Sequence, residues 1–221
     1  DCLLSRGLGD VYKRQLLMFQ IWINLPKVKK MCSPHFAMLW SEKIPRYTQQ
    51  DDKIKKTEVT VIAGHLFDAK ALPPAPNSWA NDPKNEVCIW TLNMEPKAQW
   101  TLPACSANLN RSLYYFQGKD IELEDKKVLQ NHSIEIISDQ NINITNGTEV
   151  SHFLLLQGKP INEPVAQYGP FVMNHQYEIQ ETMQEYQKTK FGGWPWPKSD
   201  HIHAKESGRF AKYADGKIET R

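Results

Sequence analysis

The sequence predicts an all-β domain, a sandwich or barrel of short antiparallel strands, closed by one C-terminal helix. Three observations carry this. Short stretches rich in apolar, β-branched and aromatic residues recur between residues 59 and 157, and alternation is visible in SIEII and DIELE, where every second residue is apolar. Turn signals such as QGKD, ITNGTE and LQGKP separate them. Helical periodicity is strong in one place alone, after residue 174.

The chain opens with DCLLSRGLGDVYKRQ, which shows neither a signal-peptide pattern nor an amphipathic one. Asp10–Gln15, DVYKRQ, is what one frame of a transposase adaptor used in DNA library preparation would encode. Residues 1–15 are therefore expected to be a non-native leader, and the natural protein to continue upstream. Leu16–Pro26, LLMFQIWINLP, reads as a buried strand closed by a proline. Phe19, Ile21 and Ile23 alternate there with Gln20, Trp22 and Asn24, giving one apolar face. The polar, proline-broken stretch that follows has the composition of a linker, with a domain boundary near Lys53–Thr57.

Strands are expected at Val59–Gly64, Glu86–Leu92, Ala98–Leu102, Ser112–Gln117, Asp120–Glu124, Ser133–Ile137 and His152–Gln157. Ile136, Phe153 and Leu155 fall on the inward phase of their alternation. The loop His65–Asn85 carries four prolines and should lie outside the sheets or over a barrel mouth. Asn174 is placed to cap a helix whose Ile179, Met183 and Tyr186 share a face. Gly192-Gly193 can close it, and Pro195 and Pro197 forbid continuation.

Lys+Arg 27 against Asp+Glu 25 leaves a formal charge of +2, which is no footprint for nucleic acid. No apolar run approaches a membrane span. Cys2, Cys32, Cys88 and Cys105 form no C-x-x-C pair and read as reduced thiols of an intracellular protein. The sequons at Asn110, Asn131, Asn143 and Asn146 are read as chance in an asparagine-rich chain.

Several residues could suggest chemistry. His201 and His203 form a His-x-His pair, and on a strand both could reach one metal. No third or fourth ligand lies close in sequence, and two fall short of the usual set. His35, His65, His132, His152 and His175 are dispersed and read as structural. Cys105 lacks a His/Asn partner pattern. Glu122, Glu124 and Asp125 fit a solvated strand edge and turn better than a catalytic pair. Phe191, Trp194 and Trp196 could stack on a planar ligand; the favoured reading is that they pack the tail onto a neighbouring domain.

FQIWINLP (Phe19–Pro26), EKIP (Glu42–Pro45), LLLQGKPINEPVAQYGPFVMN (Leu154–Asn174), Glu178-Ile179, FGGWPW (Phe191–Trp196), GRFA (Gly208–Ala211) and ADG (Ala214–Gly216) resemble the pirin family. The resemblance covers nearly everything after Gln15, and EPVAQYGPFVMN is its most specific part. It implies cupin-type double-stranded β-helix domains, small jelly rolls, two to a protein. It divides the chain into a leader at 1–15, a remnant of an N-terminal cupin with linker at 16–56, a C-terminal cupin at 57–190 and a tail at 191–221. Gln157–Pro160 would be a turn, and Glu163–Asn174 an irregular lead into the helix. Gly158 and Gly169 would supply unusual backbone angles.

Family members bind iron through a His-x-His pair, a later His and an acidic ligand in the N-terminal cupin. These motifs lie upstream of FQIWINLP, and no residue here matches them. No catalytic, cofactor-binding or metal residue is therefore assigned in this chain, and Fe(II) is implied for the intact parent alone. The resemblance implies an iron-dependent, quercetin 2,3-dioxygenase-like oxidoreductase as that parent, with this chain inactive by itself. The alternative is a non-enzymatic transcription cofactor. The implied partners are the N-terminal cupin and, in the second reading, a transcription regulator. The implied location is cytoplasmic, or nuclear for an animal protein.

Overall fold

The structure, a computed structural model, describes residues 17–137, 139–194, 196–198 and 202–221. The leader at 1–15, Leu16 and His201 lie outside these residues. Two compact units are present. One is Leu39–Asn162; the other joins the described residues up to Met38 to Glu163–Arg221.

The first unit is a pair of antiparallel sheets. The larger has the order β1 (Arg46–Gln50), β2 (Lys56–Ala63), β5 (Cys88–Met94), β12 (Ser151–Gly158), β7 (Asn110–Gln117), β10 (His132–Glu135). The smaller runs β6 (Gln99–Leu102), β11 (Ile142–Asn146), β8 (Asp120–Leu123), β9 (Lys126–Leu129). Between β5 and β12 the chain crosses repeatedly from one sheet to the other, which is the winding of a jelly roll. A small hairpin of β3 (His65–Leu66) and β4 (Ala69–Lys70) precedes the proline-rich loop.

Alternation builds the core. Val61, Trp90, Leu155 and Leu113 stand side by side across β2, β5, β12 and β7. Val59, Leu92, Phe153 and Tyr115 form the next row. Trp100, Ile144 and Leu123 do the same on the smaller sheet. All belong to one apolar cluster, and Ile136 joins it while its neighbour Ile137 is 98% exposed. Burying each large side chain contributes roughly 1.5–3 kcal/mol. Tyr115 and Phe153 stack at 4.8 Å as a cross-strand pair.

All seven expected strands are present, displaced by a few residues at their ends. The compact units do not follow the expected boundary near Lys53–Thr57. Arg46–Gln50 is polar, yet it forms the edge strand of the larger sheet in a ladder with β2. Asp51 closes that hairpin: its side chain accepts from the amides of Lys53, Lys55 and Gln99. These amides, that of Lys55 first, hold its carboxyl below the usual carboxylate range.

In the second unit, Leu17–Pro26 is not a strand. No ladder partner reaches it among the described residues, and strand propensity without a ladder does not fix a strand. Phe19, Trp22 and Ile23 are exposed instead. A single 3₁₀ turn, Lys27–Lys29, follows. Glu163–Asn174 is not irregular throughout, because β13 (Ala166–Tyr168) and β14 (Phe171–Met173) form a hairpin there. Gly169 at φ +55 begins its two-residue loop, as expected. Gly158 does not have an unusual angle. It is the last residue of β12, and a Cβ there would press on Val87. Gln157 likewise belongs to β12, so no turn begins at it.

The helix α1 is Gln176–Thr189. His175, not Asn174, is its N-cap, because Glu178 takes the amides of both residues. Glu178, Ile179 and Thr182 form the buried face, Met183 is half-buried and Tyr186 is exposed. Lys190, not a glycine, makes the left-handed C-cap. A last hairpin pairs β15 (Phe210–Lys212) with β16 (Ile218–Thr220).

Candidate functional site

In a jelly roll the two sheets enclose an interior in which inward side chains could hold a ligand. They are apolar over most of their length. At one end the Tyr115 hydroxyl meets the Ser151 hydroxyl at 3.1 Å. Burial pushes the Tyr115 phenol above its ordinary value. Gly118 makes this pair possible, since a Cβ there would overlap both hydroxyls. At the other end Cys88 lies two residues after Glu86, and Gln157 donates to the Cys88 sulfur at 3.7 Å. Burial pushes this thiol up to about 11.

Among the described residues no three His, Cys, Asp or Glu side chains gather as metal ligands. Buried side-chain atoms without a hydrogen-bond partner include the indole nitrogens of Trp90 and Trp100 and the Thr57 hydroxyl. Indole N–H donates only and cannot ligate a metal.

The residues singled out in the sequence are scattered. His65 and His132 are exposed on β3 and β10. His152 is half-buried on β12, stacked on Phe116 at 6.1 Å, and burial holds its pKa down. His35 is exposed, and His175 caps α1. His203 packs on Phe210 at 4.6 Å, and its sequence partner His201 lies outside the described residues. Desolvation raises the Cys105 thiol, the wrong direction for a nucleophile. Glu122, Glu124 and Asp125 are exposed around the β8–β9 turn. Glu124 accepts from the Asn143 amide at 2.7 Å. Phe191 packs with Phe171 and Tyr186 in edge contacts at 6.4 and 5.2 Å. Trp194 and Trp196 pack on each other at 6.4 Å. A shallow groove of about 550 Å³ lies between the edge strands β9 and β10, lined by Lys127, Val128, Leu129, His132, Ile134 and Glu135 among others.

The specific motifs converge elsewhere, in the second unit. Glu163 takes the Lys27 amide and the Asn174 side-chain amide on one oxygen, each at 2.8 Å. Glu178 binds the Lys27 ammonium at 2.8 Å through one oxygen. Its other oxygen accepts from the amides of Asn174 and His175 at 3.0 and 2.8 Å. The Lys30 ammonium donates to the Asn24 side chain at 2.7 Å and the Val172 carbonyl at 3.2 Å. These bonds hold both carboxyls below their usual range, Glu178 through Lys27 first and Glu163 through Asn174 first. Asn24, Glu163, Asn174 and Glu178 thus have a structural use that no spacing in the sequence could reveal, since the partners lie 136 residues apart in the case of Lys27 and Glu163.

No helix among the described residues is long and apolar enough to cross a membrane. Residues 89–192 match the model of the pirin C-terminal cupin domain. Pirin-1 of Arabidopsis thaliana is 31% identical over 177 residues, 78% of this chain and 57% of that protein. Pirin of Homo sapiens is 26% identical over 178 residues, 78% of this chain and 56% of that protein. A crystal structure of quercetin 2,3-dioxygenase from Acinetobacter baumannii superposes with a TM-score of 0.64 at 25% identity, over 77% of this chain and 55% of that one. The chain therefore spans little more than half the length of these relatives. The jelly-roll winding and these matches give this chain a C-terminal cupin domain of the pirin type.

Proposed function

We propose that this chain is the metal-free cupin of a pirin-like protein whose intact form is a quercetin 2,3-dioxygenase-like oxidoreductase. The observation that carries the reading is the inward face of the barrel. It is apolar in a fold shared with a quercetin 2,3-dioxygenase. Such a face serves as a rigid support and offers no ligand set for Fe(II). The iron of the intact protein belongs to the other cupin in this reading, and no reaction step is assigned to residues here.

Metal analysis tests it. The purified chain, loaded with Fe(II) and desalted, is expected to retain far less than one iron per chain and to leave quercetin unconverted. One firmly held iron per chain would overturn the reading and direct attention to His201 and His203.

A further inference from the structure

Asn146 and Gly147, at the end of β11, are each fixed by their surroundings. Asn146 is 3% exposed, and its side-chain nitrogen donates to the carbonyls of Met94, Glu95 and Glu149. Its backbone amide donates to the Ala98 carbonyl. Gly147 passes so close to Asp120 that a Cβ would overlap the Asp120 carbonyl oxygen. The site therefore needs an amide at 146 and no side chain at 147. The result is the one Asn-Gly pair in the chain.

Asparagine is chemically labile, and most so before glycine, whose nitrogen no side chain shields. The glycine nitrogen attacks the asparagine Cγ, the Cγ–Nδ2 bond breaks, and ammonia leaves with the proton from the glycine nitrogen. Water then opens the cyclic imide at either carbonyl, leaving aspartate or isoaspartate. No oxidant or cofactor is consumed. In this fold each participant is held. The Gly147 amide hydrogen is shared between the Asp120 carbonyl at 3.0 Å and the Asn146 side-chain oxygen at 2.9 Å. The nitrogen that would leave is bound by three carbonyls. The Gly147 carbonyl accepts from the Lys97 amide at 2.7 Å, so the backbone is fixed on both sides of the pair and cannot turn the glycine nitrogen onto Cγ.

We propose that Asn146-Gly147 is a deamidation site gated by the fold, closed while β11 is seated between β6 and β8 and open in any chain that has unfolded. Its reaction marks that chain irreversibly. The irreversibility follows from the same three carbonyls. The Asn146 nitrogen is a donor among acceptors, whereas the ionised oxygen that replaces it accepts only and would face those carbonyls in a buried place. Isoaspartate fits still less well, because its extra backbone methylene displaces the pairing of Asn146 with Ile121 on β8. A chain that stays open long enough to react cannot re-form the junction of β11 with the end of β5.

Peptide mapping by mass spectrometry on the full chain tests this, after equal incubation in mildly alkaline buffer with and without denaturing guanidinium chloride. Reaction through an open form tracks the population of that form, so the native chain is expected to convert Asn146 at least about a hundredfold more slowly than the unfolded one. On removal of denaturant, unconverted molecules should regain resistance to protease and converted ones should not. Similar conversion rates in the two states would overturn the proposal, and so would an Asn146 that stays intact in the unfolded chain. Converted chains that refold to the same denaturant midpoint as unconverted ones would overturn the irreversible step. Asn146→Asp supplies a second reading of that step. It is expected to lower the midpoint or prevent folding, and a variant as stable as the unsubstituted protein would count against the proposal.

Discussion

Gly118 shows how one missing side chain sets the barrel end. Its φ of +134 is one that other residues rarely adopt, and a Cβ would intrude on the Tyr115 and Ser151 hydroxyls. Both hydroxyls are buried, so losing their bond leaves polar atoms with no water to turn to. Gly118→Ala is expected to lower the stability of the barrel unit by roughly 1–3 kcal/mol. Urea unfolding of the full chain, followed by Trp fluorescence, measures it. An unchanged midpoint would mean that the β7–β8 turn relaxes without strain. Asn146 makes the same point from the polar side. Its side-chain nitrogen donates to the carbonyls of Met94, Glu95 and Glu149 at 3.0, 2.8 and 2.8 Å, tying β11 to the end of β5. This asparagine is buried, while those of the other sequons, Asn110, Asn131 and Asn143, are exposed.

At the scale of elements, α1 depends on one apolar anchor. Ile179 is 1% exposed, and the rest of the buried face is Glu178 and Thr182. Ile179→Ala is expected to cost about 2–5 kcal/mol. The loss should appear as faster exchange across α1 and the β13–β14 hairpin, with β5 and β12 unaffected; equal loss in all four elements would show a single cooperative fold. The contrast between elements also explains what the sequence made legible. Strands in the middle of the sheets alternate because one face must be buried, so β5, β7, β8 and β12 were readable. Ile142–Asn146 alternates too, but its asparagines resemble a turn, and only the contacts of Asn146 show why it is a strand. Arg46–Gln50 is stabilised by its ladder with β2 and not by its composition, so it reads as linker. Leu17–Pro26 is the converse, a strand-like sequence without a ladder. The Glu163–Glu178 cluster was invisible because its parts are far apart in the chain, whereas the apolar interior followed from the alternation of Phe153, Leu155 and Ile136.

For the whole molecule, solubility separates two places to cut the chain. Composition predicts a boundary near Lys53–Thr57, and the apolar face of Leu16–Leu25 predicts that the whole chain self-associates while a chain trimmed to about Lys56–Lys190 is more soluble. The structure gives the edge strand β1 a different value. It covers one side of β2, whose Lys56–Ala63 is an alternating strand with Thr57, Val59 and Val61 buried. A chain beginning at Lys56 would leave that edge unpaired and able to accept a strand from a second molecule. A chain of Leu39–Asn162 keeps β1 and omits the exposed Leu17, Met18, Trp22, Val28 and Met31, side chains whose contact in water drives association. The full chain is therefore expected to self-associate and Leu39–Asn162 to stay monomeric, while Lys56–Asn162 aggregates. Light scattering at matched concentration distinguishes these cases. A monomeric Lys56–Asn162 would show that β2 needs no cover. A monomeric full chain would show that the apolar side chains of residues 17–31 are too dispersed to bind one another.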